Sequence, residues 1–208
     1  MTSELSDQFP ESDIAFTRRT YSLGALGRLQ ELDNLAEERR KRIPGDPIAT
    51  RQLAFSAAQR GDYAKAHSLH QQIVNDGHGD VSDMNQLAWY ALYMKEPSDS
   101  DLDYALKGAQ LSNNSWGVLH TLGCIYAELG KTKEAREVLL QAMDSGKFAE
   151  PDPNFWYAFG RIAEQAGEDS SARADYARVT KPEDPVGLPT SSYRLAQMRL
   201  EVMQRSAK

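Results

Sequence analysis

The sequence predicts an all-α chain: a solenoid of antiparallel helix pairs with about eleven helices, the last of which caps the array. Two observations support this prediction. Glycine-containing turns recur at near-constant intervals. Around each turn, apolar residues return every three or four positions, which is the period of a helix with one buried face. Each turn therefore joins two helices, and the pairs follow one another along the chain.

The turns set the period of the repeat. Gly27 and Gly61 lie 34 residues apart, and Gly130 and Gly167 lie 37 apart. The 69 residues between Gly61 and Gly130 leave room for one more unit, whose turn reads KEPSDS at 95–100. The extra length of the last interval falls in the loop SGKFAEPDP. Periods of 20 to 50 residues indicate a repeat architecture.

The stretches before the turns share one pattern. TRQLAFSA, MNQLAWYA, LHTLGCIY and WYAFGRIA align with a large apolar residue in register, and a small residue follows it. The large residues are Leu53, Leu87, Leu122 and Phe159, and the small ones are Ala54, Ala88, Gly123 and Gly160. Positions three, four and seven apart share one face of a helix. The shared pattern therefore predicts equivalent packing faces in four units.

Gly123 needs a packing reason, because a glycine inside a helix costs about 1 kcal/mol relative to alanine. Two helices approach closely only where a backbone meets a side chain of almost no volume. The next helix carries Ala135 and Leu139 at matching intervals. We therefore predict that Gly123 lies against this second helix, with Leu122 and Tyr126 filling the space beside the crossing.

This pattern resembles the tetratricopeptide repeat, a helix-turn-helix unit of about 34 residues. The residues that carry the resemblance are Leu119, Leu122, Gly123, Tyr126, Gly130, Ala135, Leu139 and Ala142. The resemblance implies a right-handed α-solenoid over residues 12–187. Its units are 13–46, which is divergent, and then 47–80, 81–115, 116–152 and 153–186. It indicates packing rather than any one ligand.

The ends of the chain complete the predicted array. Residues 1–11 are expected to be disordered, and residues 188–208 to form a capping helix, because the last repeat cannot bury its apolar face alone. Ser191 or Ser192 is the expected N-cap. The expected apolar stripe is Tyr193, Ala196, Leu200 and Met203, with Arg194, Gln197, Glu201 and Gln204 on the opposite side.

The resemblance also implies a partner-binding groove lined by the first helix of each unit. The residues at groove positions are Arg51, Phe55, Gln59, Asn85, Trp89, Tyr93, His120, Cys124, Tyr157 and Arg161. Trp89 and Tyr93 have a separate physical argument, because they lie four apart on a face other than that of Leu87 and Ala91. Large aromatic residues are common anchors of binding sites. The alternative is that both simply pack between neighbouring units.

Composition and motifs argue against catalysis, metals and cofactors. The chain has one cysteine, so it forms no internal disulfide and no cysteine-based zinc site. Cys124 and His120 lie one turn apart, but no orienting acid or oxyanion site accompanies them. His67, His70 and His78 are expected to be ordinary surface or packing residues. Asp99, Asp101 and Asp103 are not followed by the glycine and glutamate of a calcium loop.

Charge and hydropathy bear on the partner. The formal net charge of −6 argues against nucleic acid, whose binding depends on phosphate neutralisation by Lys and Arg. The basic run EERRKR at 37–42 is expected to be a solvated helix end.

No apolar run approaches the roughly 18–20 residues that span a bilayer. The acidic N-terminal stretch lacks the features of a signal peptide, which favours the cytoplasm unless the chain is a fragment of an exported protein.

Three functions remain open at this point. The first is a non-catalytic scaffold that binds a peptide or helix of another protein in the groove. The second is a helical accessory region of a larger bacterial enzyme, because residues 111–144 together with 156–167 are similar to the C-terminal tails of transglutaminase-like proteins. The third is self-association through the N-terminal unit, whose segment IAFTRRTYSLGAL is apolar around Ile14, Phe16, Tyr21 and Leu23.

Overall fold

The structure, a computed structural model, describes residues 12–94 and 97–206 of the 208-residue chain. This part of the chain contains eleven α-helices, one short 3-10 helix and no strand. The all-α prediction and the expected number of helices are thereby confirmed. The expected disorder of residues 1–11 falls outside the described residues.

The helices follow one another with short connections. They are α1 (Asp13–Ala25), α2 (Leu29–Arg42), α3 (Pro47–Gln59), α4 (Tyr63–Asn75), α5 (Val81–Ala91), α6 (Asp99–Leu111), α7 (Trp116–Glu128), α8 (Thr132–Gly146), α9 (Phe155–Gln165), α10 (Asp169–Ala177) and α11 (Ser192–Ser206), with the 3-10 helix at Leu188–Thr190. Helices α1 to α10 pack as five antiparallel pairs in chain order. The chain divides into two compact units between Gly79 and Asp80. Unit 1 holds α1 to α4, and unit 2 holds α5 to α11.

The four turn glycines adopt the conformation that the repeat requires. Gly27, Gly61, Gly130 and Gly167 have φ between +68° and +78°, a region that costs residues with a side chain. In the turn after α7, the amide of Lys131 donates back to the carbonyl of Tyr126 at 2.9 Å, which satisfies an otherwise unpaired group at the helix end. Glycine is therefore the residue that lets these four pairs reverse direction within three residues.

Helix crossings occur where the sequence places glycine. A Cβ atom added to Gly123 would lie 2.7 Å from the Cδ2 atom of Leu139, and one added to Gly160 would lie 2.6 Å from a ring carbon of Tyr176. The predicted contact of Gly123 with the second helix of its pair is confirmed. The same packing occurs in unit 1, where Gly24 faces the ring of Phe55.

One detail of the charged segments differs from expectation. Arg39, in the basic run at 37–42, is buried and not solvated: its guanidinium group bonds to Asp46 and Asp13 and lies 4.6 Å over the ring of Phe16. Ser98 is the N-cap residue of α6 and forms a capping box with Asp101. Asp101 therefore stabilises the start of α6.

Within residues 12–94 and 97–206, no helix combines the length and the apolar character that crossing a bilayer requires.

Candidate partner-binding site

Seven of the predicted groove residues lie together in unit 2. They project from α5, α7 and α9, the first helices of three successive pairs, except for Tyr93, which lies in the turn just after α5; α7 contacts both of the other helices. We call this set the inner face: Asn85, Trp89, Tyr93, His120, Cys124, Tyr157 and Arg161. Their common register in the repeat explains why side chains from three separate helices meet on one side.

Aromatic rings form one end of the inner face. The rings of Trp89 and Tyr93 meet edge to face with centroids 6.2 Å apart. His120 lies 5.7 Å from the Trp89 ring and 4.9 Å from the ring of Phe155. Offset and edge-to-face ring pairs add to the stability gained from burial alone. Each ring of this cluster therefore packs against at least one other ring.

The aromatic end holds a distant part of the same chain. We call residues 188–206, the 3-10 helix and α11, the C-terminal segment. The indole nitrogen of Trp89 donates a hydrogen bond to the carbonyl of Thr190 at 2.9 Å. The Tyr93 hydroxyl donates to the carbonyl of Ser191, also at 2.9 Å. The two aromatic anchors therefore recognise the main chain of a segment about a hundred residues away.

Charged groups form the other end of the inner face. Arg161 pairs with Glu128 at 2.8 Å and with Glu164 at 2.7 Å. Glu164 also accepts hydrogen bonds from Tyr176 at 2.7 Å and from the Nε atom of Arg199 at 3.2 Å. Arg199 belongs to α11, so the C-terminal segment is bound at two places: by main-chain hydrogen bonds near its start and by an ion pair near the middle of its helix.

Burial and neighbouring charges shift the pKa values of these groups. Burial opposes the ionisation of Glu164, yet hydrogen bonds from Arg199 and Tyr176 and the charge of Arg161 hold its pKa at about 2. Burial lowers the pKa of His120 to about 4, although a hydrogen bond with the Asn154 carbonyl opposes the shift. At neutral pH the histidine is therefore neutral and the glutamate charged.

Cys124 does not have the environment of a nucleophile. Its sulfur lies 3.6 Å from the Nε2 atom of His120, but burial, with a smaller contribution from Glu128, raises the pKa of the thiol well above its usual range. The attacking species in cysteine chemistry is the thiolate. The pair therefore contributes packing to the inner face.

The C-terminal segment caps the last helix pair, and its apolar stripe differs from the predicted one. Helix α11 packs on α9 and α10, and Ser191 is its N-cap, with Oγ accepting from the amide of Arg194 at 3.2 Å. Ala196 and Met203 are buried as expected. Leu195, which the predicted stripe omits, is 2% exposed, whereas Tyr193 and Leu200 are only partly buried. The buried stripe is rotated toward Leu195 because the helix also faces the inner face.

Most of the inner face has little free surface in the structure. Tyr93, His120 and Arg161 are 6% exposed, and Tyr157 and Cys124 are 1% and 0% exposed. A partner reaches these side chains only if the groups that cover them move, and the C-terminal segment is one of these groups. The assignment of the ten groove residues to partner binding stays a prediction.

The three predicted residues of unit 1 lie on α3, in a different setting. Arg51 donates to the carbonyl of His78 at 3.4 Å, and the ring of Phe55 lies over Gly24 of α1. Gln59 is partly buried one turn further on. The role of Arg51, Phe55 and Gln59 toward a partner also stays a prediction.

Two clefts flank the C-terminal segment. One, of about 260 Å³, is lined by Asn85, Trp89, His120, Asn154, Thr190 and Ser192. The other, of about 170 Å³, is lined by Leu92, Glu128, Tyr157, Leu195, Arg199 and Val202. Beside the first cleft, the side-chain oxygen of Asn85 is buried and accepts no hydrogen bond from the described residues.

Sequence reasoning missed three residues of this site: Glu128, Leu195 and Arg199. Glu128 follows Cys124 by four residues and so lies on the same face of α7, a spacing that could have identified it. Leu195 and Arg199 share the same spacing on α11. Their role was not visible in the sequence, because it depends on where the C-terminal segment packs.

Comparisons with known proteins agree with the fold. Residues 117–145 match the sequence model of the tetratricopeptide repeat, and no curated protein matches the chain. The structure resembles YrrB, a TPR protein with an unusual peptide-binding site, with a TM-score of 0.63 and 12% identity over 96% of this chain and 97% of YrrB. It also resembles TTC0263, a TPR protein of Thermus thermophilus, with a TM-score of 0.59 and 19% identity over 94% and 97% of the two chains.

A third similar structure comes from an assembly. One chain of the APC/C hetero-tetramer Cut9–Hcn1 superposes with a TM-score of 0.63 and 13% identity, over 97% of this chain and 39% of that one. At such identities the likeness shows the fold alone. The expected similarity to tails of transglutaminase-like proteins, and with it a bacterial origin, is not shown by these comparisons.

Proposed function

We propose that this chain, which has the tetratricopeptide-repeat fold, is a non-catalytic scaffold for protein–protein interaction that holds a peptide or helix of another protein on its inner face. One observation carries the proposal. Trp89 and Tyr93 donate hydrogen bonds to successive main-chain carbonyls of a segment that lies across them. Every peptide offers such carbonyls, so the inner face has the chemistry of a peptide receptor.

Two further observations support a binding role over a catalytic one. The buried Cys124 thiol has a raised pKa, so it lacks the thiolate that a nucleophile needs. YrrB, a structure with the same fold, is described as having a peptide-binding site. Partner binding in this chain is an inference from the inner face and from that likeness of fold.

The test is affinity capture from the native lysate followed by mass spectrometry. The wild-type chain is compared with the double variant Trp89→Ala/Tyr93→Ala, which removes both donors and both rings. The matched control is Leu106→Ala/Leu140→Ala, which removes two exposed side chains from second helices of unit 2. We expect the inner-face variant to lose specific proteins that the wild type and the control both retain. Retention of every captured protein by the inner-face variant would overturn the proposal.

Self-association through unit 1 is a second candidate, favoured by one observation. Ile14, Tyr21 and Leu26 of α1 and its adjoining turn are 68%, 70% and 69% exposed. Exposed apolar residues that cluster on one side can mark an interaction surface. Light scattering on concentrated protein tests this candidate: a dimer that Tyr21→Ser converts to monomer supports it, and a monomer at all concentrations removes it.

A further inference from the structure

The C-terminal segment is bound like a ligand. Residues 178–187, which connect it to α10, form no helix or strand, and Lys181, Glu183 and Asp184 are exposed. The polar contacts that hold it include the two main-chain hydrogen bonds from Trp89 and Tyr93, the Arg199–Glu164 ion pair, and a hydrogen bond from Arg173 of α10 to the Met203 carbonyl at 2.9 Å. Such a connection allows the segment to leave without unwinding α10.

The segment also fits imperfectly. It leaves a cleft of about 260 Å³ next to Asn85, whose buried side-chain oxygen has no donor among the described residues. A buried acceptor without a donor costs free energy in the folded state. A ligand with an N–H or O–H group at this position would satisfy Asn85 and bind more favourably than the C-terminal segment does.

Charge defines the other requirement for a ligand. Glu128, Arg161 and Glu164 together carry one net negative charge on the inner face. Arg199 neutralises this charge in the present structure, where the Glu164 side chain is only 15% exposed. A partly buried carboxylate that loses one of its cationic partners is destabilised. A ligand that displaces the C-terminal segment must therefore bring a cation to Glu164.

We infer that the inner face recognises, in another protein, a segment built like its own C-terminal segment. The partner's segment has a short turn that presents two successive main-chain carbonyls, followed by an amphipathic helix with an arginine on its apolar side. It also has a hydrogen-bond donor within reach of Asn85, which the chain's own C-terminal segment lacks. The C-terminal segment occupies the site until such a segment displaces it. The inference rests on the proposed function and adds the chemistry of the partner.

A synthetic peptide of residues 187–205 serves as the probe, because it carries the two main-chain carbonyls, the amphipathic helix and the arginine of this chemistry; the donor to Asn85 is the one part that it lacks. Its binding to full-length chains is followed by fluorescence anisotropy. The variant Leu195→Asp/Arg199→Asp weakens docking of the chain's own segment, and Arg194→Asp/Gln204→Asp makes the same change in charge on the exposed side of α11. We expect the first variant to bind the peptide with a Kd at least tenfold lower than the wild type and the control. Equal Kd values for all three chains would overturn the inference.

Peptide variants test the role of the charge. With the Leu195→Asp/Arg199→Asp chain as receptor, a peptide carrying Arg199→Glu should bind at least tenfold more weakly than the original peptide. A peptide carrying Glu201→Gln, changed on the exposed side of the helix, should bind equally well. Equal affinity for the Arg199→Glu peptide would contradict the proposed pairing with Glu164.

A second design remains informative if the released variant fails to fold. A protease site replaces residues 181–184, and cleavage leaves the C-terminal segment bound without a covalent link. We expect the cleaved chain to keep its helicity and to exchange its segment for labelled peptide added in excess. Loss of helical structure when the segment dissociates would show that it is an integral part of the fold, and would overturn the inference.

The two experiments separate this inference from the proposed function. If capture depends on Trp89 and Tyr93 but the peptide neither binds the released variant nor exchanges into the cleaved chain, the proposed function stands and the inference is wrong. If no captured protein depends on these residues, the proposed function is wrong, and the inference fails with it.

Discussion

Helices α3 and α5 carry the same pattern 34 residues apart, yet their outward-facing residues meet different surroundings. Phe55 and Trp89 occupy the same place in TRQLAFSA and MNQLAWYA. The Phe55 ring packs over Gly24 in the preceding helix pair, whereas Trp89 donates a hydrogen bond to the carbonyl of Thr190. The repeat register therefore determines the direction in which a side chain points, and the surrounding structure determines what it contacts.

Acid should destabilise unit 2 through His120, and this is the largest effect that we expect. His120 has a pKa of about 4 in the folded chain and an ordinary value of 6.5. Below pH 6.5 the unfolded chain therefore binds a proton that the folded chain does not, so stability falls as the pH falls toward 4. The limiting loss is roughly 3 kcal/mol, from about 1.36 kcal/mol per unit of pKa difference.

Urea unfolding followed by tryptophan fluorescence measures this loss in unit 2 alone, because all three tryptophans lie there: Trp89, Trp116 and Trp156. The control is His120→Gln, which keeps polar groups at the position but does not titrate. Its free energy of unfolding should change much less between pH 6.5 and 4. An equally steep fall in the variant would assign the acid sensitivity to other groups.

Gly123 and Gly117 lie on the same helix and should respond oppositely to alanine. A Cβ at Gly123 would lie 2.7 Å from a methyl carbon of the buried Leu139, whereas one at Gly117 would meet nothing within 4 Å. We expect Gly123→Ala to cost about 2 kcal/mol of unfolding free energy, because overpacking forces side chains to shift. Gly117→Ala should stabilise by about 0.5 kcal/mol, because alanine has the higher helix propensity.

The same tryptophan-monitored unfolding compares the two variants. A Gly123→Ala chain as stable as the wild type would show that α7 and α8 can separate at little cost. It would remove the physical basis on which the sequence predicted the pairing of these helices.

The packing of helix pairs could be predicted from the sequence because it is local. The turn glycines, with positive φ, and the contact of Gly123 with Leu139 both involve residues fewer than about 20 positions apart. Gly123 and Gly160 each face a large residue of the next helix, Leu139 and Tyr176, so the sequence itself contains the pattern. The grouping of Trp89, Tyr93 and His120 on one side of unit 2 follows from the same register.

The path of the C-terminal segment could not be predicted in this way. Its hydrogen bonds with Trp89 and Tyr93 join residues about a hundred positions apart. Both acceptors are main-chain carbonyls, which leave no signature in the sequence. The apolar stripe of α11 was misplaced by about one residue for the same reason. Helix α11 packs against both the last helix pair and the inner face, and periodicity alone does not show which of its residues each surface buries.

Arg199 tests the contact between the segment and the inner face at its charged end. Arg199→Met keeps most of the aliphatic bulk but removes the ion pair with Glu164, in which the side chains are 28% and 15% exposed. We expect a loss of about 1.5 kcal/mol in the unfolding free energy of unit 2, the lower end for a hydrogen bond to a charged group. Arg194→Met, on the exposed side of the same helix, should change it by less than about 0.5 kcal/mol. Equal effects of the two variants would indicate that the ion pair contributes no stability.

Matched tyrosine variants compare the covered surface of unit 2 with the exposed surface of unit 1 and should give the smallest effect. Tyr93→Phe removes only the hydroxyl that donates to the carbonyl of Ser191, in a side chain that is 6% exposed. We expect it to cost about 1 kcal/mol, the net value of a typical hydrogen bond in a folded protein. Tyr21→Phe makes the same chemical change on α1, where the side chain is 70% exposed and water can solvate the hydroxyl. Its effect should stay within about 0.5 kcal/mol.

Because tryptophan fluorescence reports only unit 2, circular dichroism at 222 nm follows the unfolding of both variants. If Tyr93→Phe proved as neutral as Tyr21→Phe, the hydroxyl of Tyr93 would be solvated as well as bonded, and the C-terminal segment would spend much of its time away from the inner face.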